Sequence, residues 1–351
     1  MNIFYSGYQY DYGDKKRGYS YEYYNFYKSL IFMDKKKHNV FNYRTDLFNK
    51  IGKEGFNNKA INIIDKSNFD LAFFVLFKDE FKDETLDYIK NKKDIVSVAW
   101  MSDDHWRFDS YGVKKAPFFN WIVTTDRNSY YRYKELGFKN VILSQWGFNH
   151  FIYKPNTKTS KLLYEVSFVG QPHSNRKFYI NKLKKLGLNI YCRGFGWKNG
   201  KISFNEMINV FRNSKININF TSSSFGFNIK SFIKIFFFKT KYSIKIYSIS
   251  DIIQNIRILF KKNTKQIKGR IFEIIGCKGF LISEEVNDLN KFYNLKNEVV
   301  TFSDYLDLKS KIYFYLNNKE ARERIINNAY KKTIKYHTYE NRFRNIFKKV
   351  I

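Results

Sequence analysis

The run LAFFVLF at Leu71–Phe77 holds no polar residue in seven positions. A strand with one wet face alternates apolar and polar residues, whereas one covered on both faces, as at the centre of a parallel sheet, does not. Short segments rich in aromatic or β-branched residues flank it at Asn2–Tyr5, Val40–Tyr43, Ile95–Trp100, Trp121–Thr124 and Val141–Ser144. Between them lie stretches of helical period at Tyr21–Met33, Thr85–Lys92 and Ser129–Leu136, the first placed behind Ser20 as an N-cap. Alternation of this kind predicts an α/β fold with a doubly wound parallel sheet.

A second set of the same type begins after Pro155. The segment EVSFVG (Glu165–Gly170) reads as a strand, Arg176–Leu186 as a helix with a lysine-rich outer face, and Asn189–Cys192 and Ile216–Phe220 as strands. Glu298–Phe302 is a further strand, followed by helices at Tyr305–Leu316, at Glu320–Tyr336 behind Asn318, and from Tyr339 onward. The chain is thus expected to form two Rossmann-like domains, 1–150 and 151–336, with a cleft between them at the carboxyl ends of their strands. The segment 337–351 is expected to be a helix that returns to the first domain.

Residues 225–262 break the pattern. The segment carries eight Lys or Arg, one Asp and many Phe and Ile. Ile229, Phe232, Ile233, Phe236 and Phe237 share one helical face, as do Ile249, Ile252, Ile253 and Ile256. It reads as an insertion into the second domain, and two uses stay open. Its basic amphipathic surface suits the cytoplasmic face of an anionic membrane, or its apolar stripes pack onto the domain itself.

The net charge of +31 comes from 49 Lys and 14 Arg against 32 acidic residues. Lys, Asn, Ile, Phe and Tyr are all abundant and all have A/T-rich codons, so composition bias accounts for much of that charge. Nucleic-acid binding would add arginine clusters or a recognisable module, and neither is present, so no nucleic-acid partner is expected. An aromatic fraction of 20% argues for a packed core. No run approaches the ~18–20 apolar residues of a membrane span, and MNIFYSGYQY lacks the pattern of a signal peptide. Two cysteines, Cys192 and Cys277, form no framework. A cytoplasmic location, with the inner membrane face as a place of contact, is the expectation.

The segment QIKGRIFEIIGCKGFLIS (Gln266–Ser283) joins a glycine turn at Gly269 to a short helix, a glycine break at Gly279 and a buried strand. Unpaired N–H groups and the dipole make such a helix start an anion site. Glu273, one turn in, is placed to accept hydrogen bonds from sugar hydroxyls. Gly-x-Gly-x-x-Gly and Walker patterns are absent, which leaves nicotinamide redox chemistry and ATP hydrolysis without support.

Several segments resemble the CgeB-like (spore maturation protein type) glycosyltransferases, which are GT-B enzymes with two facing Rossmann-like domains. They are WMSDDHWRF (Trp100–Phe108), TTDRNSYYRYKELGFKNVILSQWGFN (Thr124–Asn149), VSFVGQPHSNRKFYI (Val166–Ile180), CRGFGW (Cys192–Trp197), KGRIFEIIGCKGFLIS (Lys268–Ser283) and YHTYENRF (Tyr336–Phe343). With the Ser20-Tyr-Glu-Tyr helix, they span nearly the whole chain outside Phe225–Lys262. The resemblance implies transfer of a sugar from a nucleotide-sugar donor to a glycan or lipid-linked acceptor, in surface polysaccharide or glycoconjugate synthesis. By position it implies Glu273 at the donor ribose. Many retaining relatives carry a second glutamate eight residues earlier, where this chain has Lys265, so the stereochemical outcome stays open.

On that reading Lys268, Gly269 and Arg270 meet the leaving diphosphate, helped by Arg176, because without a metal its charge needs cations and helix N–H groups. Gly170 and Gly194 end strands where a ligand approaches the backbone closely. Trp197 either stacks on a base or sugar or is buried. Asp103, Asp104 and His105 follow the strand Ile95–Trp100. Asp104 or His105 is the expected base for the acceptor hydroxyl, and one of the aspartates is expected to cap the next turn. Neither a metal nor another cofactor is expected. The alternative is a non-catalytic GT-B-like protein that binds a glycan or an anionic surface.

Overall fold

The computed structural model describes residues 1–34, 37–156, 162–173, 175–222, 233, 235–239, 243–262 and 264–351. The chain divides into two units, Met1–Ile152 with Tyr336–Ile351, and Tyr153–Lys335.

The first unit is built on six parallel strands: β1 (Asn2–Gly7), β2 (Asn39–Arg44), β3 (Leu71–Leu76), β4 (Val96–Met101), β5 (Trp121–Thr124) and β6 (Val141–Leu143). Their order is β2-β1-β3-β4-β5-β6. All six residues of β3 are buried, as its unbroken apolar run requires. Ala72, Phe74 and Leu76 pack on one face with Phe4, Phe56 and Leu86. Leu71, Phe73 and Val75 pack on the other with Phe26, Trp100, Tyr339, Phe343 and Phe347. The C-terminal helix Tyr339–Val350 therefore completes this unit's second core, and Tyr339 shares a hydrogen bond of 2.9 Å with the Tyr21 hydroxyl.

The segment expected as one helix over Tyr21–Met33 is not uniform. Its middle, Tyr23–Tyr27, is a π-helix that passes into an α-helix at Lys28–Phe32. Ser20 does cap it, accepting from the Tyr23 N–H at 3.0 Å. The helical segment Phe48–Asp65, broken at Gly52 (φ 69°, ψ 177°), has no counterpart in the sequence reading.

The second unit holds β7 (Tyr164–Val169), β8 (Ile190–Arg193), β9 (Ser214–Asn219), β12 (Leu281–Glu284) and β13 (Val300–Phe302) in a parallel sheet, with a separate antiparallel pair, β10 (Phe237–Lys239) and β11 (Ile244–Ile246). The sheet order is β13-β12-β9-β7-β8. From β7 the chain runs outward to β8 and then returns past β7 to β9, so the order reverses between β7 and β9. Open α/β sheets bind ligands beside such a reversal, outside the carboxyl ends of the strands.

Two expectations for the second unit need correcting. Asn318 does not cap the helix Lys319–Tyr336 with its side chain; its amide donates backward to the Phe314 carbonyl at 2.7 Å, closing the preceding helix. Phe237 leaves the helical face assigned to it and opens strand β10, which its aromatic, β-favouring neighbours support. Ile229 and Phe232 lie outside the described residues. Ile249, Ile252, Ile253 and Ile256 do fall on one helix, Ile249–Lys262.

Candidate functional site

At the carboxyl end of the second sheet, two strand exits are locked together. Gly194 follows β8 with φ 143°, a conformation that excludes most side chains. A Cβ there would fall 2.2 Å from the Gly170 carbonyl oxygen. The Trp197 indole N–H donates to that same oxygen at 2.8 Å. Gly194 thus admits the Gly170 backbone, Gly170 itself lies against the Phe168 ring, and Trp197 serves as a clasp.

Arg176 enters from the helix Asn175–Lys185 behind β7 and is only 8% exposed. Its guanidinium donates to the Ser222 carbonyl at 2.7 Å and to the Gln171 carbonyl at 3.3 Å. Ser222 follows β9, so Arg176 bridges the point where the strand order reverses. Its Nε is buried and has no hydrogen-bond partner among the described residues. A buried donor left open costs about 1–3 kcal/mol, so such a group is a place to look for a missing acceptor.

His173 shows what surrounds it. Burial lowers its pKa, and the charges of Arg176 and Lys268 lower it further, so three basic side chains share one locality. Glu284, at the end of β12, accepts from the N–H groups of Thr221 (3.0 Å) and Ser222 (2.9 Å) and pairs with Lys265 at 3.2 Å. Burial opposes its charge, but the Ser222 N–H and Lys265 outweigh that and hold its pKa below the ordinary glutamate range. The lysine that departs from the retaining pattern is thereby explained locally: it balances a buried carboxylate that the sequence reading did not single out.

Lys268 precedes the helix Gly269–Gly276 as its N-cap residue. Glu273, on that helix, is 1% exposed. Its Oε1 accepts from the Tyr153 hydroxyl at 2.7 Å and its Oε2 pairs with Arg270 at 2.9 Å. Arg270 also reaches the Met207 sulfur at 2.7 Å and covers the Phe211 ring at 5.1 Å. Arg270 and Glu273 therefore neutralise one another, and a ribose would have to exchange with Tyr153 or Arg270 to reach the carboxylate.

In the first unit, the three residues after β4 part company. Asp103 sits at φ 60°, left-handed, and caps the turn through its carbonyl, which accepts from the Trp106 and Arg107 N–H groups at 3.1 Å each. Its side chain makes no cap bond, contrary to expectation. Asp104 points inward and is 2% exposed, with Oδ1 accepting from the Tyr133 hydroxyl at 3.3 Å and Oδ2 without a partner among the described residues. Burial raises its pKa to about 7 against the pull of Thr124 and Tyr133. His105 is half-buried. Glu22 was not singled out from the sequence, yet burial and the nearby charges of Asp11 and Asp103 raise its pKa. Its place in Ser20-Tyr-Glu-Tyr was the available signal.

Comparison with known proteins adds four likenesses. A family model described as "Glycosyl transferase-like" matches residues 236–348. Spore protein CgeB of Bacillus subtilis (strain 168) is 22% identical over 271 residues, covering 75% of this chain and 77% of that protein. The fold is similar to that of a sucrose-phosphate synthase from Thermosynechococcus elongatus, with TM-score 0.62, 9% identity and 99% of both chains covered. It is also similar to Anabaena HepE solved with UDP and glucose, with TM-score 0.56, 10% identity and 100% of both chains covered. Together these show a two-domain α/β fold like that of GT-B glycosyltransferases and a sequence likeness to CgeB and, over residues 236–348, to the glycosyl transferase-like family.

Proposed function

We propose that this CgeB-like GT-B glycosyltransferase moves a sugar from a nucleotide-sugar donor to a glycan or lipid-linked acceptor in the synthesis of a surface polysaccharide or glycoconjugate. The observation that carries the donor assignment is the convergence of Arg176, His173 and Lys268 beside the strand reversal, with a guanidinium N–H of Arg176 left open among the described residues. A leaving diphosphate supplies acceptors of the right charge for that N–H. Lys268 and the N-terminal N–H groups of the helix from Gly269 add to the same field. Glu273 takes the ribose hydroxyls in exchange for Tyr153 or Arg270. The turn Asp103–His105 supplies the base, with His105 the better placed of the pair once Asp104 is turned inward.

A thermal-shift screen with UDP-, GDP-, CMP- and dTDP-sugars tests the donor, UDP-glucose first because HepE was captured with it. A ligand at 100 times its Kd stabilises by about 2.7 kcal/mol through mass action. Arg176→Ala and Lys268→Ala should each reduce that shift. No shift with any of these sugars would refute the assignment.

One observation favours the rival reading of a glycan- or surface-binding protein: Glu273 and Asp104 are both withdrawn into their units. Donor turnover by the wild type, absent in Glu273→Ala, separates the two.

The insertion supports a peripheral membrane contact. Ile246 and Ile249 are 68% and 78% exposed, and Lys245 and Arg257 are exposed beside them along the chain. Among the described residues no helix is long and apolar enough to cross a membrane. Sedimentation with vesicles of anionic phospholipid should exceed that with zwitterionic ones, and equal sedimentation would remove the electrostatic part of this reading.

A further inference from the structure

The first unit carries an aromatic surface that neither the donor site nor the base explains. From the end of β1 the chain makes a tight excursion over residues 8–20. Tyr10 and Tyr19 pair as an isolated bridge, Asp11 donates its N–H to Gly18 at 2.9 Å, and Arg17 pairs with Asp11 at 2.9 Å. The carboxylate of Asp46 accepts from the N–H groups of Gln9 and Tyr10 at 2.9 and 3.1 Å. This excursion is pinned at many points, and what it presents is rings.

Tyr10 stacks on Tyr19 at 5.4 Å between centroids, and Tyr19 on Tyr23 at 4.3 Å, the last borne by the π-helix. Tyr12 belongs to the same excursion, two residues beyond Tyr10, with Arg17 4.7 Å above its ring and Phe77 edge-on at 5.5 Å. Tyr12 is 61% exposed and Tyr19 44%. Tyr12 also sits at φ 54°, where a bulky side chain is a conformational outlier, and π-helical turns are themselves rare. Strain of this kind persists only where the surroundings enforce it, and it clusters at ligand sites.

We propose that Tyr12, Tyr19 and Tyr23 form a stacking platform for the pyranose rings of a glycan acceptor, a placement that rests on the glycosyltransferase reading. Aromatic faces are electron-rich and attract the C–H-bearing face of a sugar ring, while phenolic hydroxyls and Arg17 meet its hydroxyl groups. Tyrosine gives this area with little loss of conformational freedom. Charge separates a glycan from a nucleic acid. Asp11, Asp103 and Glu22 act electrostatically on Tyr12 in one sense and Arg17, paired with Asp11, in the other, so a polyphosphate backbone meets an excess of carboxylates there, whereas a neutral, hydroxyl-rich chain finds both acceptors and a donor. Asp103 belongs to the base-bearing turn, so the platform leads toward it.

Saturation-transfer NMR with chitohexaose, maltoheptaose and cellohexaose, with oligo-uridylate as the rival, tests the platform. The wild type should bind at least one oligosaccharide. Tyr12→Ala with Tyr19→Ala should weaken binding at least tenfold, and Tyr19→Phe should retain it. The thermal shift given by UDP-glucose should be the same in all variants. Undiminished binding in the double variant, preference for oligo-uridylate, or no binding to any of the three sugars overturns the platform. A missing donor shift with tyrosine-dependent oligosaccharide binding intact would instead count against the transferase reading alone.

Discussion

Replacing Asp104 by Asn should stabilise the first unit at neutral pH and leave it unchanged in acid. Burial pushes the carboxyl's pKa up from its ordinary 3.8 to about 7. Below about pH 4 both folded and unfolded chains hold the proton and the group is neutral in its effect. As pH rises from there, the unfolded chain releases its proton while the folded one keeps it, so stability falls with pH until the folded group titrates near 7. At about 1.4 kcal/mol per unit the total loss is roughly 4 kcal/mol, an order-of-magnitude figure. Asparagine keeps the shape and the acceptor for Tyr133 but has no charge to desolvate.

Urea unfolding at pH 5 and pH 8, followed by tryptophan fluorescence, measures this directly, because Trp100, Trp106, Trp121 and Trp146 all lie in the first unit. Wild type should be less stable at pH 8 than at pH 5, and D104N should gain most at pH 8. A wild-type profile flat across this interval, or a D104N variant weaker at pH 8, would refute the buried-carboxyl argument. Turnover read alongside has its own meaning. If D104N keeps the rate, the base lies elsewhere on the turn; if it abolishes the rate, activity should fall below pH 7 as Asp104 takes up its proton.

Tyr153→Phe removes the hydroxyl bond to Glu273 without opening a cavity. A hydrogen bond to a charged group contributes about 1.5–3 kcal/mol, so differential scanning calorimetry should show the second unit melting several degrees lower. The same variant should bind UDP-glucose at least as well as wild type, because ribose no longer competes with the phenol. Gly194→Ala should cost on the order of 2 kcal/mol or more, since it combines a φ of 143° with a contact of 2.2 Å to the Gly170 carbonyl. Circular dichroism in urea reads that loss, and an unaltered midpoint would mean the two strand exits are not locked.

The parallel sheets were legible because burial on both faces removes the polar half of a strand pattern. LAFFVLF states its own environment, and β3 is buried throughout. The helix Phe48–Asp65 was hidden by Gly52, Gly55 and its asparagines, which read as loop, although Phe56, Ala60 and Ile64 supply the core contacts. The π-turn at Tyr23–Tyr27 left no trace, because a shift from i→i+4 to i→i+5 bonding changes no residue type.

At the site, chain position located Lys268, Glu273 and Arg176 but not their partners. Tyr153 lies 120 residues before Glu273, and Ser222 lies 46 after Arg176. Periodicity cannot see contacts of that range. The inward turn of Asp104 was hidden for a different reason: the left-handed Asp103 before it redirects the chain, and a side-chain direction set by one dihedral is invisible in a string of letters.

The charge of +31 looks like the dominant feature of the sequence, yet the structure ranks its cations differently. An exposed lysine acts through water, where a unit charge at 4 Å is worth about 1 kcal/mol and salt screens it within roughly 8 Å. Arg176 is 8% exposed, and Glu284 counters only part of the cost of its burial. At an effective dielectric near 20 the same contact is worth about 4 kcal/mol before desolvation of the ligand. One desolvated guanidinium with an open N–H therefore outweighs many surface lysines in choosing a ligand. It also selects a compact anion that fits beside a strand reversal over an extended polyanion, which would draw its affinity from the exposed lysines and lose it in salt.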